Sequence, residues 1–167
     1  MRLGQPLPRL SGRRSIAALV TAAMFADAIF FALIAPLLPH YSESLGLGQL
    51  EVGLLFAAHP FGTVACAAAA ARLVRRRGAV LTMTVGLVSL GLATVVFGLA
   101  GSLPLLAACR FVQGGSAALV WCAGLARLQA AAPPHRRGAA LGLAGSAAGA
   151  GSLFGPVFAA LGSLTSV

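Results

Sequence analysis

The sequence predicts an all-α, multi-pass transmembrane helical bundle, and three observations lead there. Hydrophobic residues make up 59% of the 167 positions and charged residues only 9%, where a soluble domain carries about 25% charged side chains. The apolar residues fall in five runs of 22 to 24 residues. Each run spans roughly 33 to 36 Å as a helix, enough for a hydrocarbon core of about 30 Å. The arginines, finally, cluster in alternate connections between those runs. Backbone exposed to lipid must satisfy its own N–H and C=O groups, which leaves helices or closed barrels. Barrel strands need about ten residues of alternating character; these runs are twice that length and do not alternate.

The first run, Ile16 to Leu38, is interrupted only by Asp27. It follows an arginine-rich segment, residues 1–15, read as a cytoplasmic N-terminal segment. The run is longer than a signal-peptide core and lacks a clear small-residue cleavage site, so it reads as a retained membrane helix. The second run, Leu50 to Leu73, contains His59 and Pro60; a proline there frees a backbone carbonyl and predicts a kink. The third covers Ala79 to Ala100, the fourth Leu103 to Ala126 and the fifth Ala139 to Gly162. Residues 16–167 are thus one membrane domain, and its short connections make successive helices antiparallel neighbours.

Charge gives the orientation. Arg2, Arg9, Arg13 and Arg14 precede the first helix; Arg72, Arg75, Arg76 and Arg77 join the second to the third; Arg127, Arg136 and Arg137 join the fourth to the fifth. Eleven of twelve arginines therefore share one side, while the opposite side carries Glu43 and Glu51. The positive-inside rule makes the N-terminus cytoplasmic in a cell membrane. The net charge of +9 is accounted for by this placement better than by phosphate binding, so no nucleic-acid partner is expected. Cys66, Cys109 and Cys122 show no metal-ligand or CxxC spacing and read as small buried hydrophobes. No metal, cofactor or nucleophile–base constellation is expected, and an enzyme is not.

Two charges, Asp27 and Arg110, lie deep within the apolar runs rather than at their ends. Asp27 is about 11 residues into its helix, hence about 16 Å deep, where an ionisable group costs at least about 2.5 kcal/mol. Burial disfavours its charged form, which suits a proton-accepting or cation-attracting group; a structural carboxylate paired with a neighbouring helix is the alternative. Arg110 lies roughly 10 Å deep in the fourth helix and shares a face with Gln113, with Gly114 beside them. It serves either a polar cavity or simply snorkels outward. His59 reads as lumen-facing and titratable or as a packing residue. The fifth run is rich in glycine, with Gly145 and Gly149 in one GxxxG spacing and Gly151 and Gly155 in another, followed by Pro156. Such spacings let helix backbones approach closely.

These residues carry a family resemblance. RFVQGGSAA, Arg110 to Ala118, resembles the RxxQG signature on the fourth helix of the major facilitator superfamily. GSAAGAGSLFGP, Gly145 to Pro156, is similar to the glycine-rich GP signature on the fifth helix of its antiporter branch. ADAIFFALIAPLLPHY, with Asp27, Pro36 and Pro39, is similar to the first-helix pattern of multidrug and amine efflux members. RLVRRRGAV keeps Arg76 and Gly78 of the family's loop between helices two and three, with Arg75 where an acidic residue is expected and Ala71 where the first glycine is.

The resemblance implies the N-terminal part of a major facilitator fold, five of an expected twelve helices, with a further C-terminal half to come. It implies that Asp27 binds a cationic substrate or a proton and that Arg110 with Gln113 supports coupling. It also implies that Gly145, Gly149, Gly155 and Pro156 form a packing hinge, and that Arg72, Arg75, Arg76, Arg77 and Gly78 belong to a cytoplasmic gating loop. The expected partners are the lipid bilayer, a small-molecule substrate and protons. The expected function is proton-coupled efflux of small cationic or amphipathic compounds by alternating access. Metabolite transport by another branch and a fragment inactive by itself are the alternatives.

Overall fold

The computed structural model describes residues 10–32, 43 and 45–164. Its long helices are α1 (Leu10–Ala32), α2 (Gln49–Arg77), α3 (Ala79–Gly98), α4 (Leu103–Ala131) and α5 (Arg137–Leu164), with a 3-10 turn at Pro134–Arg136 leading into α5. Among the described residues, α2, α3 and α4 are long and apolar enough to cross a membrane, and Ile16–Ile29 in α1 is a shorter apolar stretch. Arg2, Arg9, Pro36, Pro39 and His40 lie outside the described residues.

Several helices run past the apolar segments that announce them. α1 begins at Leu10 and takes in Arg13 and Arg14, α2 continues to Arg77, and α4 continues to Ala131. Hydropathy marks the lipid boundary, whereas a helix ends where its backbone hydrogen bonding is broken. At the end of α2 that break is Gly78, whose φ of 85° ends the helix while its N–H still donates to the Val74 carbonyl at 3.0 Å. Positive φ costs glycine nothing, so one residue turns the chain into α3. The Thr82 hydroxyl then donates to the Gly78 carbonyl at 2.8 Å. Arg75, Arg76 and Arg77 occupy the last turn of α2, where cations complement the helix dipole. Pro60 sits inside α2 without ending it.

α4 is the central helix. α2 and α3 pack along it, α1 packs on it as well, and α5 lies chiefly against α1. Two apolar clusters mark the ends of the bundle. One joins Val20 of α1, Met83 of α3, Val120, Ala123 and Leu128 of α4 and Ala144 of α5, with Val74 of α2 packed on it. The other joins Leu55 of α2, Phe97 and Ala100 from the end of α3 and Leu106 and Cys109 of α4. The C-termini of α2 and α4 and the N-termini of α1, α3 and α5 therefore share the first end. Antiparallel packing thus brings the arginines of the α2–α3 and α4–α5 connections together at that end.

The polarity of this bundle is inverted relative to a water-soluble fold. Asp27, Thr82, Arg110, Gln113 and Ser116 are buried, while Leu54, Val64, Val88, Leu92, Val95 and Leu153 are exposed. An apolar exterior of this extent has no stable contact with water; it suits hydrocarbon, with polar groups turned inward.

Candidate functional site

Between the two apolar clusters lies a polar layer built from one side of α4. Arg110, Gln113, Gly114, Ala117 and Trp121 follow the i, i+3, i+4, i+7, i+11 spacing of a single helical face. Arg110 is 1% exposed, and its side chain is turned into the bundle. Its Nη1 donates to Gln113 Oε1 at 3.0 Å and its Nε to the Leu55 carbonyl of α2 at 3.5 Å. The guanidinium carbon stands 5.5 Å from the centre of the Phe31 ring of α1, within cation–π range. Nη2 is buried without a hydrogen-bond partner among the described residues.

Gln113 extends the chain of bonds to α3. Its Nε2 donates to Thr94 Oγ1 at 3.2 Å, and the Thr94 hydroxyl donates to the Leu90 carbonyl at 2.8 Å. With its own proton committed to that carbonyl, Thr94 meets Gln113 as an acceptor. The amide therefore turns its NH2 toward Thr94 and its oxygen toward Arg110. A second polar link between α3 and α4 comes from the Ser89 and Ser116 hydroxyls, 2.7 Å apart.

Asp27 is reached from α1, one helical turn before Phe31. It is 5% exposed. Its Oδ2 accepts a hydrogen bond from Trp121 Nε1 of α4 at 2.9 Å, while Oδ1 is buried and without a partner among the described residues. Phe31 forms an aromatic layer with His59 of α2, their ring centres 4.9 Å apart. Asp27, Phe31, Phe56, His59 and Trp121 line one groove of about 470 Å³, whose remaining wall includes Ala148 and Ser152 of α5. The groove is thus mostly apolar and aromatic, with one carboxyl and one imidazole in its wall. Such a composition suits a small amphipathic ligand.

Glycine holds α2 and α4 close enough for this arrangement. A Cβ on Gly114 would overlap the His59 carbonyl oxygen, and one on Gly62 would overlap the Phe111 carbonyl oxygen. At this crossing the Thr63 hydroxyl lies 3.1 Å from both the His59 and Gly114 carbonyls. On α5, Gly151 meets α1: a Cβ there would lie 2.6 Å from the Phe25 carbonyl oxygen. Gly145 and Gly149 have open space where a Cβ would project. Gly155 and Pro156 lie in α5, and their surroundings fall outside the description. Arg72, Arg75, Arg76 and Arg77 are on the last turns of α2, with Gly78 ending it, well away from the groove. Among the described residues no group of His, Cys, Asp or Glu side chains could hold a metal ion.

The structure therefore brings Asp27, His59, Arg110, Gln113 and Gly114 into one layer. Trp121, Thr94, Thr63, Phe31 and Gly62 belong with them and were not singled out by the sequence. Trp121 alone carried a readable signal, its place on the helical face that starts at Arg110.

Residues 20–166 match the sequence profile of the Major Facilitator Superfamily. Among curated proteins, the chain is 28% identical over 148 residues to an uncharacterized MFS-type transporter of Schizosaccharomyces pombe, covering 83% of this chain and 32% of that protein. It is 31% identical over 143 residues to the MFS-type transporter ppzB of Metarhizium majus, covering 80% of this chain and 30% of that protein. The chain spans about a third of the length of the curated relatives it matches.

Proposed function

The chain belongs to the Major Facilitator Superfamily, a family of multi-pass membrane transporters rather than enzymes, and on that premise we propose that it serves proton-coupled efflux of small cationic or amphipathic compounds. The observation that carries this reading is Asp27: a buried carboxyl in the wall of an aromatic groove, with one oxygen unengaged among the described residues. A cation and a proton compete for such a group, because either one neutralises it and both together would leave a buried positive charge. If access to the groove alternates between the two sides of the membrane, that competition becomes exchange. The arginine-bearing end is cytoplasmic in this reading, as the positive-inside rule assigns it. Arg72, Arg75, Arg76, Arg77 and Gly78 then belong to the cytoplasmic gate. Gly114 and Gly151 give the close helix contacts against which the gate moves; in this reading Gly145 and Gly149, which face open space, serve with Gly155 and Pro156 by leaving α5 able to bend rather than by packing. Arg110, held by Gln113, sets a positive potential across the Phe31 ring, and His59 lines the groove with Asp27.

A second reading rests on Arg110 Nη2, buried and without a partner among the described residues: an anionic metabolite would pair with it. Proteoliposomes holding the full-length protein distinguish the two. With an acidic lumen, efflux coupled to protons drives uptake of tetraphenylphosphonium, and Asp27→Asn lowers it by about tenfold or more, the equivalent of about 1.4 kcal/mol in the coupled step. Wild-type uptake in Asp27→Asn, or flux of carboxylate metabolites alone, would contradict the cation reading.

A further inference from the structure

The Asp27 carboxyl carries two chemically equivalent oxygens until something distinguishes them. Here the distinction comes from across the bundle. Trp121 Nε1 donates to Oδ2 at 2.9 Å, leaving Oδ1 buried and unpartnered among the described residues. Indole N–H is a donor only. It cannot rotate into an acceptor as a hydroxyl can, so it always presents a hydrogen to the oxygen it faces. That hydrogen already engages one lone pair of Oδ2 and draws charge from that oxygen, whereas Oδ1 has no donor on either of its lone pairs among the described residues. The ring also lines the groove together with Phe31, Phe56 and His59.

We propose that Trp121 is the positioning residue of this site, holding Asp27 by Oδ2 so that Oδ1 is the oxygen that receives a proton or a cationic ligand. The proposal rests on the reading of Asp27 as a cation and proton site, and it adds the group that orients it. The proton step is a simple transfer: hydronium from the water reaching the groove gives its proton to Oδ1, forming an O–H bond and leaving water, and when a cation arrives that bond breaks and the proton passes back to water. The charged and titratable side chains near Asp27 are His59 from α2, in the same groove, and Arg110 from α4, above the Phe31 ring. α5 contributes Ala148 and Ser152 to the groove, neither of which titrates, and α3 contributes no lining residue to it.

In a spectrum of the 15N-tryptophan-labelled full-length protein in lipid nanodiscs, the Trp121 indole N–H is the cross-peak that disappears in Trp121→Phe, which assigns it. The proposal predicts that Asp27→Ala moves this peak upfield, and that in wild type it follows a protonation step with pH that Asp27→Asn abolishes. A peak unmoved by Asp27→Ala would overturn the proposal. So would a step that persists in Asp27→Asn, which would belong to His59. Equilibrium binding of tetraphenylphosphonium supplies the functional arm. Trp121→Phe keeps a ring and loses the donor, and weakens binding by about tenfold, as expected for a hydrogen bond to a charged group. In an Asp27→Asn background the same change has little further effect, because the group it orients is already altered. Equal weakening in both backgrounds would mean that Trp121 only packs, and would overturn the proposal. If wild type binds no tetraphenylphosphonium, the cation reading of the site fails, while the indole peak still decides whether Trp121 orients Asp27.

Discussion

Replacing Gly114 with alanine tests whether α2 and α4 are held by direct backbone approach. The added Cβ would overlap the His59 carbonyl oxygen and lie 2.8 Å from its carbon and 2.9 Å from the Thr63 nitrogen. All three are backbone atoms, so no rotamer change relieves the contact and α2 must back away from α4. Overpacking of this kind costs about 1–3 kcal/mol. The separation also breaks the Thr63 contact with the Gly114 carbonyl at 3.1 Å, and an interhelical bond of this type within a membrane averages about 0.6 kcal/mol. Against this, alanine in place of glycine within a helix gains about 0.5–1 kcal/mol. The balance is a loss of about 1–3 kcal/mol, read as reduced resistance to unfolding by denaturant in bicelles. Gly91→Ala in α3 is the control, since nothing lies within 4 Å of its added Cβ, and it should be neutral or slightly stabilising. Equal stability of the Gly114→Ala and Gly91→Ala proteins would refute the close-approach argument.

Other substitutions probe the remaining contacts. Gly151→Ala, whose Cβ would lie 2.6 Å from the Phe25 carbonyl oxygen and 2.9 Å from the Ala28 Cβ, should destabilise the α1–α5 pair by about 1–3 kcal/mol in the same unfolding assay. Gly149→Ala, with no atom in the way, should not. Gln113→Leu strips Arg110 Nη1 of its 3.0 Å partner and should cost about 1.5–3 kcal/mol, as expected for a buried bond to a charged group. Thr94→Val removes only the acceptor that orients the Gln113 amide; it should cost less, about 0.5–1.5 kcal/mol, and Thr94→Ser should restore wild-type stability.

Much of this architecture is legible in the residues because lipid imposes simple rules. Apolar length reveals the helices, and arginine placement reveals which connections share an end; Val74, Met83, Leu128 and Ala144 in one cluster express the same alternation in packing. Asp27 and Arg110 stand out because charge is rare in such runs. The start of α1 and the ends of α2 and α4 were less legible, since helix begins at Leu10, before the apolar run of α1, and continues through Arg77 and Gln129 after those of α2 and α4 stop. The partners of the buried charges were hidden for a different reason. Trp121 and Asp27 are 94 positions apart, and nothing local ties an indole on one helix to a carboxyl on another. Gly62 looked like one small residue among many in α2, and its importance depends on which turn of α4 lies opposite. The glycine-rich face of α5 shows the converse: Gly145 and Gly149 share a GxxxG spacing yet face open space, whereas Gly151 meets a neighbouring backbone.

In the proposed topology these helices cross a bilayer with the arginine-bearing turns on one side and the Asp27 groove between the two faces. Cysteines introduced one at a time at Gln49 and Arg76, in a background where Cys66, Cys109 and Cys122 are replaced, test it with a membrane-impermeant maleimide on oriented vesicles. Labelling of the two positions from opposite faces is the predicted result, with Arg76 reached only from the cytoplasmic side. Labelling of both from the same face would contradict the path of α2 through the membrane and the site built upon it.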